Sequence, residues 1–261
     1  MDRTVLLHLH YDGTHFAGWQ RQPESRTVQG ELEAVLGRLC GGLVRAHAAG
    51  RTDAGVHALG MAVSLSVPER WTPAALNRGL NALLPADCWV ERTTEVVAGF
   101  HARKSAEGRS YRYLIGTDPL ARSPFRRPFE WPFGRPLDQE RLDRAAACLV
   151  GTHDFRALAV QTGSKLNCLC DIRSARWAVR QEAVGVQFEI AANRFLHHLV
   201  RILVGTMVDI ASGRRPDEDL PRLLAQEPGV RSSPPAPAEG LYFVRADYSS
   251  HWFPDQRISC D

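Results

Sequence analysis

The fold is organised around residues 43–67, which read LVRAHAAGRTDAGVHALGMAVSLSV. The apolar runs on either side of the central loop, residues 50–57, favour strands. The loop carries one carboxylate, Asp53, and one guanidinium, Arg51, together with two glycines. Glycines permit backbone angles and close approaches that other residues resist. The same residues also suit an ordinary hairpin connection, with Asp and Gly in their usual turn positions.

The first part of the chain has the order strand, helix, strand, strand, helix, strand. Helical spacing of apolar residues begins after Thr27 and again after Thr72, which both suit the N-cap position, and Gly41 and Pro85 are expected to end these helices. This order is typical of the ferredoxin-like βαββαβ pattern, which also builds RNA-recognition folds. The predicted strands cover residues 5–11, 43–49, 58–67 and 88–97.

The second part repeats the order without repeating the sequence. Asp138 is expected to cap a helix, the strongest helix is predicted from Phe195 to Ser212, and a short one is predicted near residues 217–225. The fold class is therefore α+β, with two ferredoxin-like halves, residues 1–104 and 105–261, and a central cleft suited to an extended polymer. The predicted strands of this half cover residues 110–116, 172–179, 184–191 and 241–248.

Composition excludes several classes of protein. No apolar run approaches the length of a membrane span and the N-terminus lacks a signal peptide, so we expect a cytoplasmic protein. The net charge of +3 does not by itself demand a nucleic-acid partner. Six scattered cysteines, including Cys260, indicate reduced thiols, and neither Cys168 and Cys170 nor the histidine pairs have metal-site spacing. The candidate pairs are His8 with His10 and His197 with His198.

Several residues allow two interpretations. On the predicted helix from Phe195 to Ser212, a polar face would carry Arg194, His197, His198 and Arg201. That face either meets solvent or lines a polar cleft with Asp53 as the partner of Arg201, because a buried guanidinium needs a carboxylate. Tyr111 is either a core aromatic or a catalytic one. Phe100 and Arg103 suit contact with stacked bases and phosphates, although charges on a surface loop look the same.

Together these segments closely resemble the tRNA pseudouridine synthase A family. The match depends on the number, order and spacing of short motifs that would each be weak alone, and it spans nearly the whole chain. The motifs are YDGT at 11–14, FAGWQ at 16–20, TVQG at 27–30, GRTDAGVHA at 50–58, FHAR at 100–103, YRY at 111–113, FLHHLVR at 195–201 and APAEGL at 236–241. The residues that depart from the family pattern are Met61, Leu158, Pro235 and Phe243.

The resemblance implies an isomerase that converts uridine to pseudouridine at family positions 38 to 40 of the tRNA anticodon stem-loop, without metal or organic cofactor. It implies a homodimer built from two ferredoxin-like halves that form one extended antiparallel sheet with helices on one side. By matching position, Asp53 is the essential aspartate, Arg201 its ion-pair partner, Tyr111 the active-site aromatic and Arg51 a guide for the flipped base. The predicted substrate-binding residues are Arg51, Tyr111, His57, Phe100 and Arg103.

The chemistry of the reaction suits these residue types. The C1′–N1 bond must break, the uracil must rotate and C5 must bond to C1′, so the detached base must be held in place. Asp53 must be ionised to act on C1′, on C6 or on the 2′ hydrogen, and a positively charged arginine beside a carboxylate favours that form, which is the reason for Arg201. Two rivals are a non-catalytic RNA-binding module and a glycoside hydrolase, which generally needs two carboxylates.

Overall fold

The computed structural model describes residues 2–160 and 167–253 and divides into two compact units. The first unit comprises Met1–Glu107 and Phe243–Asp261, and the second comprises Gly108–Tyr242. The division into two halves at residues 1–104 and 105–261 stays a prediction. Within the described residues, the chain from Phe243 to Phe253 belongs to the first unit.

The first unit contains the predicted strand–helix–strand–strand–helix–strand order. β1 (Asp2–Tyr11) pairs antiparallel with both β3 (His57–Pro68) and β4 (Cys88–Glu95), and β2 (His47–Ala48) pairs antiparallel with β3. The predicted strand at residues 43–49 is reduced to two residues, because the N–H of Ala46 donates to Oε1 of Glu33 and not to a strand (3.0 Å). The elements are β1 (Asp2–Tyr11), α1 (Val28–Cys40), β2 (His47–Ala48), β3 (His57–Pro68), α2 (Pro73–Leu83) and β4 (Cys88–Glu95).

The two helices of the first unit begin at the predicted caps. The hydroxyl of Thr27 accepts a hydrogen bond from the N–H of Gly30, and the hydroxyl of Thr72 accepts one from the N–H of Ala75, both at 3.2 Å. Gly41 ends α1 with a positive φ of 78°, a conformation that glycine adopts without strain. Local capping chemistry thus determines where both helices begin, which is why the sequence located them well.

The second unit contains another antiparallel group of strands. β5 (Ala106–Gly116) pairs with β9 (Gly185–Ala192), β9 with β8 (Leu169–Val179) and β8 with β7 (Gly151–Asp154). β6 (Trp131–Pro132) adds a short parallel pairing to β5. Asp138 caps α3 as predicted, accepting from the N–H of Arg141 at 3.1 Å. The elements are β5 (Ala106–Gly116), β6 (Trp131–Pro132), α3 (Gln139–Ala147), β7 (Gly151–Asp154), β8 (Leu169–Val179), β9 (Gly185–Ala192), α4 (Leu199–Ala211), α5 (Asp219–Leu224) and β10 (Leu241–Tyr248), which enters the first unit at Phe243.

The strongest predicted helix begins later than its sequence indicates. α4 starts at Leu199, because His198 adopts a left-handed backbone (φ 61°) and the carbonyl of His197 accepts from the N–H of Val160 (3.2 Å). The prediction that Arg194, His197 and His198 share a helical face with Arg201 is therefore wrong. All three precede the helix.

The mixed α+β class is confirmed, with mostly antiparallel strands and five α-helices in residues 2–160 and 167–253. The ferredoxin-like assignment of each half, the single extended sheet and the central cleft stay predictions. Within the described part of the chain, no helix has the length and apolar character required to cross a membrane. Cys260 lies outside the described residues.

Candidate active site

Asp53 lies in the loop between β2 and β3, at the first position of a tight turn. The N–H of Val56 donates to the carbonyl of Asp53 at 3.2 Å, and Gly55 adopts a positive φ of 79°. A positive φ at the third position of a turn favours glycine. Asp53 is half-buried and Ala54 is exposed, so the ordered turn that carries the carboxylate is partly open to solvent.

Two hydrogen bonds fix this turn to the loop formed by residues 12–20, and a third joins it to Tyr11 at the end of β1. The N–H of Trp19 donates to the carbonyl of Thr52 (3.0 Å), and the N–H of Gly55 donates to the carbonyl of Phe16 (3.3 Å). In the interior, the hydroxyls of Tyr11 and Thr52 are hydrogen-bonded at 2.7 Å. Asp53 is therefore held through its neighbours on both sides.

Two glycines in the 12–20 loop allow this close contact. A Cβ on Gly13 would lie 2.1 Å from the carbonyl oxygen of Val56. A Cβ on Gly18, whose φ is +93°, would lie 2.6 Å from the carbonyl oxygen of Thr52. Both contacts are with backbone atoms, which cannot move aside as a flexible side chain can. Close approach is predicted for the glycines of the Asp53 loop, and glycines of the facing loop, Gly13 and Gly18, also allow it.

His57 ends the Asp53 loop and is buried, with 2% of its surface exposed. Its Nδ1 accepts a hydrogen bond from the N–H of Gly13 at 3.0 Å and lies 3.3 Å from Oδ1 of Asp12. The same Asp12 oxygen accepts from the N–H and the hydroxyl of Thr14 (2.9 and 2.5 Å). This geometry favours a supporting role for His57 over the predicted contact with substrate.

The other predicted binding residues of the first unit differ in exposure. Arg51 and Arg103 are exposed, so their guanidinium groups lie at the surface. Phe100 is only 5% exposed and packs edge-to-face against Tyr248 and Trp252, with ring centroids 5.0 and 5.5 Å apart. Phe100 therefore packs within the unit, and the contacts of Phe100, Arg51 and Arg103 with substrate stay predictions.

Tyr111 and Tyr113 are two residues apart on β5 in the second unit, so they lie on the same face of the strand, but they have different surroundings. Tyr111 is half-buried, and its ring meets that of Phe195 edge-to-face at 5.0 Å. Tyr113 is fully buried and its hydroxyl donates to the carbonyl of Pro237 at 2.7 Å. Burial raises the pKa of Tyr113 well above its usual value. Tyr113 is thus a structural phenol, whereas Tyr111 is the one that remains accessible.

Arg201 lies in the first turn of α4 and is half-buried. Its Nε donates to the carbonyl of Ala236 at 2.8 Å, while the N–H of Ala236 donates to the carbonyl of Arg201 at 2.9 Å. A Cβ on Gly205 would lie 2.3 Å from the carbonyl oxygen of Pro234, so the proline-rich segment packs directly on the helix. Sequence reasoning missed this partner segment of Arg201, although the APAEGL motif was a signal for it.

The predicted catalytic residues are divided between the units. Asp53 belongs to the first unit, and Tyr111 and Arg201 belong to the second. The Asp53–Arg201 ion pair and the catalytic roles of all three stay predictions. Met61, Leu158 and Phe243, which depart from the family pattern, are all fully buried, so these departures concern core packing.

Comparison with known proteins identifies the class. A family model described as tRNA pseudouridine synthase matches residues 8–103 and 145–249. The matched segments include Asp53 and Arg201 and leave out residues 104–144, where Tyr111 lies. The chain therefore belongs to the tRNA pseudouridine synthase family, whose enzymes isomerise uridine to pseudouridine in tRNA.

The similar curated proteins are each named tRNA pseudouridine synthase A. The protein from Moorella thermoacetica is 41% identical over 251 residues, covering 94% of this chain and 99% of that protein. The one from Halalkalibacterium halodurans is 42% identical over 257 residues, covering 95% and 94%. The one from Myxococcus xanthus is 39% identical over 245 residues, covering 94% and 91%.

Proposed function

We propose that this chain isomerises uridine to pseudouridine on the 3′ side of the tRNA anticodon stem-loop, at family positions 38 to 40, and that Asp53 carries the chemistry. The observation that supports it is the ordered turn of Asp53, inside a segment matched by the family model and held by backbone hydrogen bonds on both sides. A carboxylate that must act at one atom of a nucleotide needs such a fixed position.

The reaction balances within the substrate. The C1′–N1 bond breaks, a C1′–C5 bond forms, the C5 proton leaves and N1 gains a proton, so no electron acceptor is consumed. In this proposal the ionised carboxylate of Asp53 acts on C1′, on C6 or on the 2′ hydrogen, and Arg201 pairs with it. The half-buried ring of Tyr111 stacks on the uracil, and its phenol is placed to assist removal of the C5 proton.

The surface residues of the first unit have separate roles in this proposal. Exposed Arg51, two residues before Asp53, occupies the space left by the flipped nucleotide. Exposed Arg103 meets a phosphate. In this proposal buried His57 and Phe100 hold the unit in shape, and their contact with substrate stays a prediction. A cytoplasmic location and a homodimer are carried forward as predictions.

The experiment compares the wild-type protein with Asp53→Asn on unmodified tRNA transcripts. We expect the substitution to reduce pseudouridine formation by at least about 10⁴-fold, as for removal of an essential catalytic group. Dissociation constants for tRNA should stay within about threefold, because the amide has the same shape as the carboxylate. Product is mapped by sequencing after chemical derivatisation of pseudouridine.

Asp143→Asn is the matched control, because it makes the same change at an exposed position on α3. It should retain full activity. Product from Asp53→Asn at the wild-type rate would remove Asp53 from the mechanism. Absence of product from the wild-type protein, with tRNA binding intact, would favour the non-catalytic RNA-binding module.

A further inference from the structure

The connector between β5 and α3 has an excess of positive charge on its surface. Residues 117–137 contain four arginines and two acids. Both acids are occupied by ion pairs: Asp118 with Arg126 at 2.9 Å, and Glu130 with Arg126 at 2.7 Å and with Arg180. Glu130 is only 1% exposed, so its charge is neutralised inside the unit. Neither acid is left to compensate the remaining arginines.

Those remaining arginines are Arg122, Arg127 and Arg135. All three are exposed, and within residues 2–160 and 167–253 none of them forms an ion pair with a carboxylate. Two of them, Arg122 and Arg135, lie close to Phe133 and Gly134. The guanidinium of Arg135 lies over the ring of Phe133 at 4.7 Å from its centroid. Nε and Nη2 of Arg122 would both lie 3.8 Å from a Cβ on Gly134.

A second guanidinium, that of Arg214, reaches the ring of Phe133 from the end of α4. Cζ of Arg214 lies 5.8 Å from the centroid of Phe133, and its Nε is paired with Asp209 at 2.8 Å. Arg122, Phe133, Gly134, Arg135 and Arg214 are together called the Phe133 surface. Of its three guanidinium groups, only that of Arg214 is paired with a carboxylate, Asp209, among the described residues. The surface is therefore positively charged.

The backbone that displays the Phe133 surface is ordered. β6 pairs with β5 just before it, and the N–H of Gly134 donates to the carbonyl of Gly116 at 3.0 Å. The ring of Phe133 packs edge-to-face on that of Trp131 at 5.3 Å. Cation–π contact fixes the plane of a guanidinium while its N–H edges stay free for a ligand. Such an arrangement binds an anion with little loss of side-chain entropy.

We propose that the Phe133 surface binds the phosphate backbone of tRNA outside the anticodon stem-loop. This inference rests on the proposed function, because that function supplies the polyanion. Converging guanidinium groups repel one another unless an anion lies between them, and the planar fork of arginine matches phosphate oxygens. Arg122, Phe133, Gly134 and Arg135 lie in residues 104–144, which the family model leaves unmatched, whereas Arg214 lies in its second matched segment. The Phe133 surface therefore adds to the site at Asp53.

The test measures dissociation constants across a range of NaCl concentrations for full-length tRNA and for the isolated anticodon stem-loop. The double variant Arg122→Ala/Arg135→Ala should bind full-length tRNA about tenfold more weakly, and the slope of log K against log[salt] should fall by about 2, as for two lost phosphate contacts. Its affinity for the stem-loop should stay within about twofold of the wild type.

The matched control is Arg38→Ala/Arg78→Ala, which removes the same charge from exposed positions on α1 and α2. It should leave the salt slope for full-length tRNA unchanged. Equal losses in the two double variants would show a general charge effect and overturn the proposal, as would an unchanged slope. Equal losses for tRNA and stem-loop would also overturn it, by placing the contact on the anticodon arm.

Pseudouridine formation by the wild-type protein is measured separately. Failure of that reaction would overturn the proposed function. The salt dependence of tRNA binding tests separately whether the Phe133 surface contacts phosphates. Circular dichroism of each variant confirms that these exposed substitutions leave the fold intact.

Discussion

The Asp53 loop, residues 50–57, and the first turn of α4 at Arg201 hold their functional side chains in different ways. Asp53 is fixed through its neighbours, by backbone hydrogen bonds from Trp19 and to Phe16. Arg201 is fixed through its own side chain and backbone, which form a reciprocal pair with Ala236. The first arrangement depends on how closely two loops approach, and the second depends on the chemistry of one residue.

This difference determines which substitutions each region tolerates. In the Asp53 loop, a change to a residue that never meets substrate should disable the site by moving the backbone. At Arg201, only the residue itself and the segment beside it should matter. The comparison therefore predicts effects at a distance for one region and local effects for the other.

Among the substitutions that test this comparison, the largest effect is expected for Gly13→Ala. The added Cβ would lie 2.1 Å from the carbonyl oxygen of Val56, so the loops must separate. We expect a loss of about 3 kcal/mol in the free energy of unfolding, at the upper end for overpacking. Pseudouridine formation should fall by more than about 100-fold, because small misplacements of a catalytic group have effects of this size. Chemical denaturation and product mapping measure the two quantities.

Gly42→Ala is the matched control for Gly13→Ala. Within the described part of the chain nothing lies within 4 Å of a Cβ on Gly42, so this variant should behave as the wild type. Full activity of Gly13→Ala would contradict the idea that the approach of the two loops positions Asp53.

The next effect is expected for Arg201→Lys, which keeps the charge and removes the Nε–H that donates to Ala236. Lysine cannot reproduce the planar fork, so we expect the rate of product formation to fall about 100-fold while tRNA affinity stays within about threefold. Single-turnover kinetics and binding measurements separate these quantities. The same substitution at exposed Arg38 should have no effect, and wild-type kinetics for Arg201→Lys would show that charge alone suffices.

A smaller effect distinguishes the two interpretations of His57. His57→Leu removes the acceptor of the Gly13 N–H and leaves that donor buried, a loss of about 1–3 kcal/mol. In His57→Asn, the amide oxygen can replace Nδ1, so most of this stability and of the rate should return. Both variants should bind tRNA as the wild type does. Weaker tRNA binding by both, with unchanged stability, would instead support the predicted contact with substrate.

The smallest effect is expected for Tyr11→Phe, which removes the buried hydrogen bond to Thr52. We expect a loss of about 1 kcal/mol in the free energy of unfolding, the usual value for one such bond. Activity should fall several-fold, because Thr52 precedes Asp53. Tyr248→Phe is the control, since its hydroxyl donates to the carbonyl of Ala102 (2.8 Å) in the same unit. It should lose similar stability and keep its activity. Equal activities of the two variants would show that the hydrogen bond beside Asp53 has no special effect on the reaction.

Local features of the fold were predictable from sequence. Thr27, Thr72 and Asp138 cap their helices as expected, because a cap depends on residues only three positions apart. The start of α4 was not predictable from periodicity. It depends on the left-handed backbone of His198 and on a hydrogen bond from Val160, which is distant in sequence.

The sequence by itself determined the family, the candidate residues Asp53, Tyr111 and Arg201, and most helices and strands, since these depend on residue identity and short spacing. Only the tertiary structure decided that His57 and Phe100 are buried, that Gly13 and Gly18 admit the facing loop, and that Tyr113 is the structural tyrosine of the pair. These properties depend on which backbone and side-chain atoms from distant parts of the chain are brought within contact distance, and no local pattern encodes that.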